Sequence, residues 1–310
     1  MQTENDKTIS DYIASSKSYN QTDDSLKDED NAAWIMQLPE GDTKRWISVL
    51  HWVRLADRLL ERDRLQAGNT AYTFSRFLAD WKKARSGEPV EDSEHTTLFS
   101  ELQELWKDEG LVESDLTTWD LYLTSLEKYT RPGIIIGDME EYEKALYGLS
   151  GTFFQAFPFK PKEHHKEAGI LGTLDQFYNN LRDLHEDSAR GVYYFPEALL
   201  QKFGIDRSEL PKLVKEPDSR FVDMNEFLLT SFVPKLKSEA AAILSSGNLH
   251  PSWKLMIRNN FRRYSRIEYV FRLANHNAAK FSTSYWDHVR ADTSPEIREK
   301  FRTFKSTLRI

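Results

Sequence analysis

Two stretches of this chain space acidic side chains as a divalent cation would need them. In Asn179-Asn180-Leu181-Arg182-Asp183-Leu184-His185-Glu186-Asp187, Asp183 and Asp187 are an i,i+4 pair. On a helix that spacing stacks both carboxylates on one face, where they repel each other unless a cation lies beside them. Hard oxygen donors of this kind suit Mg²⁺, which takes one or two carboxylates and completes its shell with water and substrate phosphate. Gln176 and Asn179 extend the same face by about one turn each, and Arg182 offers a planar cation matched to phosphate oxygens. Far upstream, Asp57 and Glu61 repeat the spacing and continue the apolar stripe of Trp46, Leu50 and Val53. An acid prolonging a buried stripe is costly unless something pairs with it. Local ion pairs with Arg54, Arg58 or Arg62 would satisfy the upstream acids, and a solvated helix end would satisfy the downstream ones. Two such helices facing across a bundle would instead line a cavity with four carboxylates at its mouth and apolar groups below. That is a place for a diphosphate carrying a hydrocarbon tail.

The elements that would hold these groups are helices. Apolar residues recur at three- and four-residue spacings in WISVLHWVRLADRLL and in similar stripes through 70–84, 96–110, 114–129, 139–157, 167–186, 195–203, 223–246, 250–278 and 290–306. No period-two alternation lasts more than a few residues, and the isolated IIIG at 134–137 is too short to found a sheet. The stripes are separated by short connections at 86–92, 131–138, 158–162 and 245–252, with no interdomain linker and no repeat. The expected fold is all-α: one helical domain over residues 31–310, a bundle of about ten helices around a central cavity. Residues 1–30 are polar and acidic and read as a flexible tail.

Composition narrows the function further. Of 310 residues 39% are hydrophobic, enough for a large core, and 42 basic against 49 acidic residues give a net charge of −7. That removes the broad basic surface that announces nucleic-acid binding. The absence of cysteine excludes disulfides, thiolate metal sites and cysteine nucleophiles, and fits a reducing compartment such as the cytoplasm. No apolar run is long enough to span a bilayer, and the first sixteen residues lack a basic n-region and an apolar h-region, so a soluble, unexported protein is expected; any membrane contact is expected to be transient. The adjacent His164 and His165 point to different helix faces and lack a third ligand, and the basic run at 262–266 reads as a solvated helix face.

The stretch LGTLDQFYNNLRDLHEDSARGVYYFPEALLQKFGI at 171–205 resembles the second aspartate-rich region of squalene and phytoene synthases, LG-x-x-x-Q-x-x-N-x-x-RD-x-x-ED followed by G-x-x-Y-x-P and a helix ending near FG. Upstream, Leu38-Pro39 and then Arg54, Asp57 and Glu61 resemble the family's first acidic motif. YGLSGTFF at 147–154 falls where the family has a Tyr and a kinked helix of small residues. The resemblance implies an isoprenoid synthase-type bundle and a Mg²⁺-dependent transferase ionising isoprenyl diphosphates of the C10–C20 range, usually by joining two head to head into a squalene-like or phytoene-like product. Carried over, Asp57, Glu61, Asp183 and Asp187 would hold Mg²⁺ against the diphosphate with help from Asn179. Arg54, Arg182 and Tyr194 would contact diphosphate oxygens or hold the acids. Gln176 and Tyr147 would lie near the reacting carbons.

Three departures bear on the reaction. The first acidic motif has Arg58 where the family has a second aspartate, and Glu61 as its last acid. Lys27-Asp28-Glu29-Asp30-Asn31 stands where the family has a basic, hydroxyl-bearing segment. Phe153 and Phe154 replace a Val-Gly pair, and would shorten or divide a substrate channel unless they point into the core. These changes keep open prenyl transfer to a non-terpenoid acceptor, terpene cyclisation, and a non-catalytic relative.

Overall fold

The apolar stripes fold as helices. The computed structural model describes residues 21–65, 71–91, 95–96, 99–100, 103–104 and 113–307, and no strand occurs among them. By packing, the chain divides into two compact units, Met1–Leu116 with Ser294–Ile310, and Thr117–Thr293, where its short connections had suggested a single domain.

In the first unit α1 (Gln21–Ala32) leads through a 3₁₀ turn into α2 (Glu40–Leu65), followed by α3 (Ala71–Ser86). The expected stripe on α2 is buried in part: Trp46, Val49 and Ala56 are enclosed, Leu50 and Val53 are half-buried, and Trp34 is set edge-on to Trp46 at 5.1 Å. Here the tail boundary needs correcting. Residues 21–30 are helical, and Asp28, Glu29 and Asp30 are 8%, 2% and 4% exposed. Composition gave no warning because Glu29 finds its partner 273 residues away: Arg302 Nε donates to Glu29 Oε1 at 2.5 Å. That arginine lies on the last helix, Pro295–Thr307.

In the second unit α4 (Glu113–Tyr129) contributes its residues from Thr117 onward. Next come α5 (Met139–Leu146), a π-helical turn over Tyr147–Gly151, and α6 (Thr152–Gln155). These are followed by α7 (His165–Arg182), α8 (Leu184–Ala189), α9 (Glu197–Lys202) and α10 (Leu210–Leu213). The unit closes with α11 (Ser219–Phe227), a second π turn over Leu228–Phe232, α12 (Val233–Glu239), α13 (Ala241–Ser245), α14 (Pro251–Leu273) and α15 (Ala278–Asp292). None of the described helices is long and apolar enough to cross a membrane.

α7 is the hub. Thirteen of its eighteen residues are buried, and it packs on the π turn at 147–151, α6, α5, α12 and α14. Glycine permits the closest of these contacts. A Cβ on Gly172 would stand 2.5 Å from the Ser150 carbonyl oxygen, and one on Gly151 2.7 Å from that of Gly169. The obstacles are backbone, which cannot rotate away. A glycine also ends α9: Gly204 has φ +66°, its N–H bonds to the Gln201 carbonyl, and Ile205 N–H reaches back to Leu200 at 2.9 Å. Those two bonds form a Schellman cap.

Gly172→Ala should therefore push α7 off the π turn and cost about 1–3 kcal/mol, lowering the thermal midpoint. Gly41→Ala, on an exposed turn of α2 with no atom near the added methyl, should be neutral or stabilising. A Gly172→Ala midpoint equal to wild type would mean that the close approach is not a constraint.

Candidate active site

α7 ends at Arg182, and Asp183 sits at φ −92°, ψ 3° between it and α8. The chain bends there instead of running on as one helix, yet the expected face survives. Asp183 N–H bonds to the Asn179 carbonyl and Asp187 N–H to the Asp183 carbonyl, each at 2.9 Å. Two successive i,i+4 bonds keep Asn179, Asp183 and Asp187 in line across the bend.

Each residue of this line has a defined setting. Arg182, only 3% exposed at its side chain, grips Asp183 with two bonds, Nε to Oδ1 at 2.8 Å and Nη2 to Oδ2 at 2.9 Å. Such a fork fixes the carboxylate plane. Asn179 donates from Nδ2 to Asp175 Oδ2 at 2.9 Å, while its buried Oδ1 has no hydrogen-bond partner among the described residues. The amide is thereby oriented with its carbonyl oxygen available as a ligand. Gln176 donates to Asn180 Oδ1 at 2.7 Å. Asp187 and Tyr194 share the wall of a cavity of about 20 Å³ with Asn180, Asn225 and Tyr142, room for about one water. His185, between the acids, has a buried Nδ1 without a partner among the described residues.

Tyr194 lies on a loop held by a backbone hydrogen bond and by one arginine. Gly133 N–H bonds to the Gly191 carbonyl at 3.0 Å, tying the 131–137 loop to the turn after α8. Arg207 then pairs with Glu197 and donates to the carbonyls of Phe195, at 2.6 Å, and of Ile134 and Tyr193. IIIG thus becomes an extended strap over the start of α9, where Glu197 and Ala198 N–H groups bond to Ile136 and Gly137.

Of the other expected residues, Tyr147, Phe153 and Phe154 lie in and just after the π turn. Tyr147, in the π turn, donates to Gln155 Oε1 at 2.7 Å, and burial raises its pKa. It walls a cavity of about 490 Å³ with Tyr129, Ile170, Thr173 and Leu236, distinct from the small cavity beside Asp187. Phe154 is 3% exposed and packs on Phe157 at 4.7 Å; Phe153 is half-buried between Tyr122 and Phe157. Asp57 is half-buried on α2 in the first unit. The side chains of Arg54 and Glu61 lie outside the described residues.

Sequence reading missed Asp175 and Arg207, and its reading of the 262–266 run as a solvated face needs correcting, because Arg263 and Tyr264 are each 2% exposed. Asp175 is 6% exposed and pairs with Arg263, 2% exposed, while accepting from Tyr264 at 2.7 Å. Burial, and then the Asp175 charge, push the Tyr264 phenol well above its usual range. Asp175 occupies an open position of the LG-x-x-x-Q pattern, and its partners are 88 and 89 residues away, so no local signal marks it.

Among the described residues no three His, Cys, Asp or Glu side chains form a metal-holding group. The donors on α7 and α8 are instead one carboxamide oxygen and two carboxylates. That set fits a hard cation drawing the rest of its shell from water and phosphate.

Residues 26–258 match the Squalene/phytoene synthase family. The chain is 25% identical over 181 residues to a 15-cis-phytoene synthase of Synechococcus elongatus; the match takes in 56% of this chain and 58% of that protein. It is similar in structure to a dehydrosqualene synthase crystallised with ligand (TM-score 0.63, 18% identity, 91% of this chain and 95% of the other). It is also similar to the squalene synthase HpnC of Alicyclobacillus acidocaldarius (TM-score 0.62, 14% identity, 87% and 94%). At these identities the two structures establish the fold.

Arg207→Met should remove the grip on the Tyr194 loop. The expected result is faster amide exchange at 191–198 and a loss of about 1–3 kcal/mol in stability, measured by hydrogen exchange and urea unfolding. Unchanged protection there would show that the loop is held by other contacts.

Proposed function

We propose that this chain, which belongs to the squalene/phytoene synthase family, is a Mg²⁺-dependent transferase that ionises an isoprenyl diphosphate of the C10–C20 range. The supporting observation is the line of Asn179, Asp183 and Asp187, kept in register across the bend by two backbone hydrogen bonds and presenting a carboxamide oxygen with no partner among the described residues. Asn179, Asp183 and Asp187 would hold Mg²⁺ from this side; Asp57 and Glu61 would do so from the first acidic motif. When bound, Mg²⁺ offsets the charge of the leaving diphosphate. Arg182 holds Asp183 and so fixes the plane in which it presents its oxygens. Tyr194, kept in place by the Arg207 strap, would contact diphosphate oxygens. Ionisation breaks the allylic C–O bond, and the electron pair leaves with the diphosphate. The carbocation then needs walls that exclude water; Tyr129, Ile170 and Leu236 beside Tyr147 would supply part of one, in a cavity that Lys128, Glu143, Lys144 and Glu239 also line.

By family, the favoured outcome is head-to-head joining of two prenyl diphosphates. A second reading, prenyl transfer to a non-terpenoid acceptor or cyclisation, draws on particular residues. Asp28, Glu29 and Asp30 bring negative charge where the family's segment is basic, although Arg302 offsets Glu29. Phe153 leaves less room than the valine it replaces. A non-catalytic relative has no evident use for a metal-oriented carboxamide.

The test is diphosphate release from farnesyl or geranylgeranyl diphosphate with Mg²⁺, followed by product mass. A C30 or C40 hydrocarbon supports condensation, and an adduct or cyclic product of one prenyl unit supports the second reading. Asp183→Ala would leave the buried Arg182 without its carboxylate, so Asp183→Asn is the cleaner variant: release should fall about a hundredfold or more with the helical signal intact. Retained release in that variant would put the metal elsewhere. No release at any chain length, with or without cell extract, would dismiss both catalytic readings.

A further inference from the structure

Asp175 is a buried carboxylate one turn before Asn179, and no acidic motif includes it. Its two oxygens have separate tasks. Oδ1 takes the Arg263 guanidinium and the Tyr264 hydroxyl; Oδ2 takes Nδ2 of Asn179 at 2.9 Å. Tyr264 is itself fixed, stacked on Tyr178 at 4.3 Å with the planes 8° apart. Buried pairs of this kind are seldom more stabilising than apolar side chains of the same volume, and their best-attested use is to select one arrangement over another. Here the arrangement at stake is the Asn179 amide. Its oxygen and nitrogen have nearly the same shape, so packing alone does not choose between them. A carboxylate accepts hydrogen bonds only, and so it draws the NH₂ group to itself and turns the buried carbonyl oxygen away from it.

We infer that Asp175, held by Arg263 and Tyr264 of α14, is a positioning residue that sets the Asn179 amide in its metal-binding orientation. The inference rests on the proposed Mg²⁺ site at Asn179, Asp183 and Asp187. It also ties that site to α14, because a shift of α14 would move Arg263 and release Asp175. Groups that orient a ligand in this way typically change metal affinity by about 10–100-fold when removed.

The experiment measures Mn²⁺ binding in the presence of inorganic pyrophosphate, by the electron paramagnetic resonance signal of free Mn²⁺, with circular dichroism as the folding control. Wild type should bind and Asp183→Asn should bind more weakly; if wild type fails to bind, or the two are equal, the metal site itself is refuted and the inference falls with it. The variant Asp175→Leu/Arg263→Met/Tyr264→Phe replaces the whole buried cluster with apolar side chains, leaving no charge stranded. It should fold and bind Mn²⁺ about tenfold or more weakly. Adding Asn179→Asp to it should restore affinity to within about threefold of wild type, because a carboxylate presents oxygen whichever way it is turned. In the wild-type background the same Asn179→Asp change sets two carboxylates at hydrogen-bond distance and should not tighten binding. Wild-type affinity in the apolar variant, or no rescue by Asn179→Asp, overturns the inference while leaving the metal site standing. If the apolar variant does not fold, Asn179→Asp alone decides: tighter binding than wild type overturns it.

Discussion

A helix buried on nearly every side must satisfy its own polar groups from within the protein, and α7 is such a helix. It carries Asp175, Asn179, Asn180, Arg182 and, at its end, Asp183, in a setting where solvent cannot compensate a charge cheaply. The compensation is supplied twice over. Asp175 takes two donors from α14, and Asp183 takes the fork of Arg182. What is left over is informative: an acceptor on Asn179 with no partner among the described residues, on the same face as Asp183 and Asp187. Under the proposed function this acceptor is where Mg²⁺ would bind; Nδ2 of Asn180 on the same helix is likewise buried without a partner among the described residues.

The surroundings are built to keep this helix in place. Glycines 151 and 172 let α7 and the π turn touch backbone to backbone, and Gly169 makes room for the Tyr147 and Gln155 side chains, so the helix cannot slide without a steric clash. At its far end the bend at Asp183 redirects the chain, and the carbonyls of Asn179 and Asp183 still receive the N–H groups four residues on. The turn beyond α8 is secured by the 131–137 strap and by Arg207, which fixes Tyr194 next to Asp187. Rigid support of this sort is what an ionising site requires, since charge stabilisation depends on groups already aimed before the bond breaks.

Much of the candidate site was legible because its residues are neighbours in sequence and helical geometry converts spacing into direction. Asn179, Asp183 and Asp187 could be placed on one face from spacing alone, and the bend at Asp183 leaves that face intact. The tail boundary was misread at residues 21–30 because a run of acids looks solvated until its partner is known, and Arg302 lies 273 residues from Glu29. Phe153 and Phe154, one reading in sequence, have different settings: Phe154 sits deep against Phe157, while Phe153 is half-buried beside Tyr122.

The sequence alone determined the all-helical class, the positions of the main connections and the pattern of the second acidic motif, since each follows from local periodicity or from residues within two turns of one another. Tertiary structure decided which polar groups are already satisfied and which remain to bind. Asp175 became an orienting group only through Arg263 and Tyr264, and Arg207 became a clamp only through loops at 134 and 193–195. Spacing constrains neighbours on one helix; burial and long-range pairing arise only when distant segments meet.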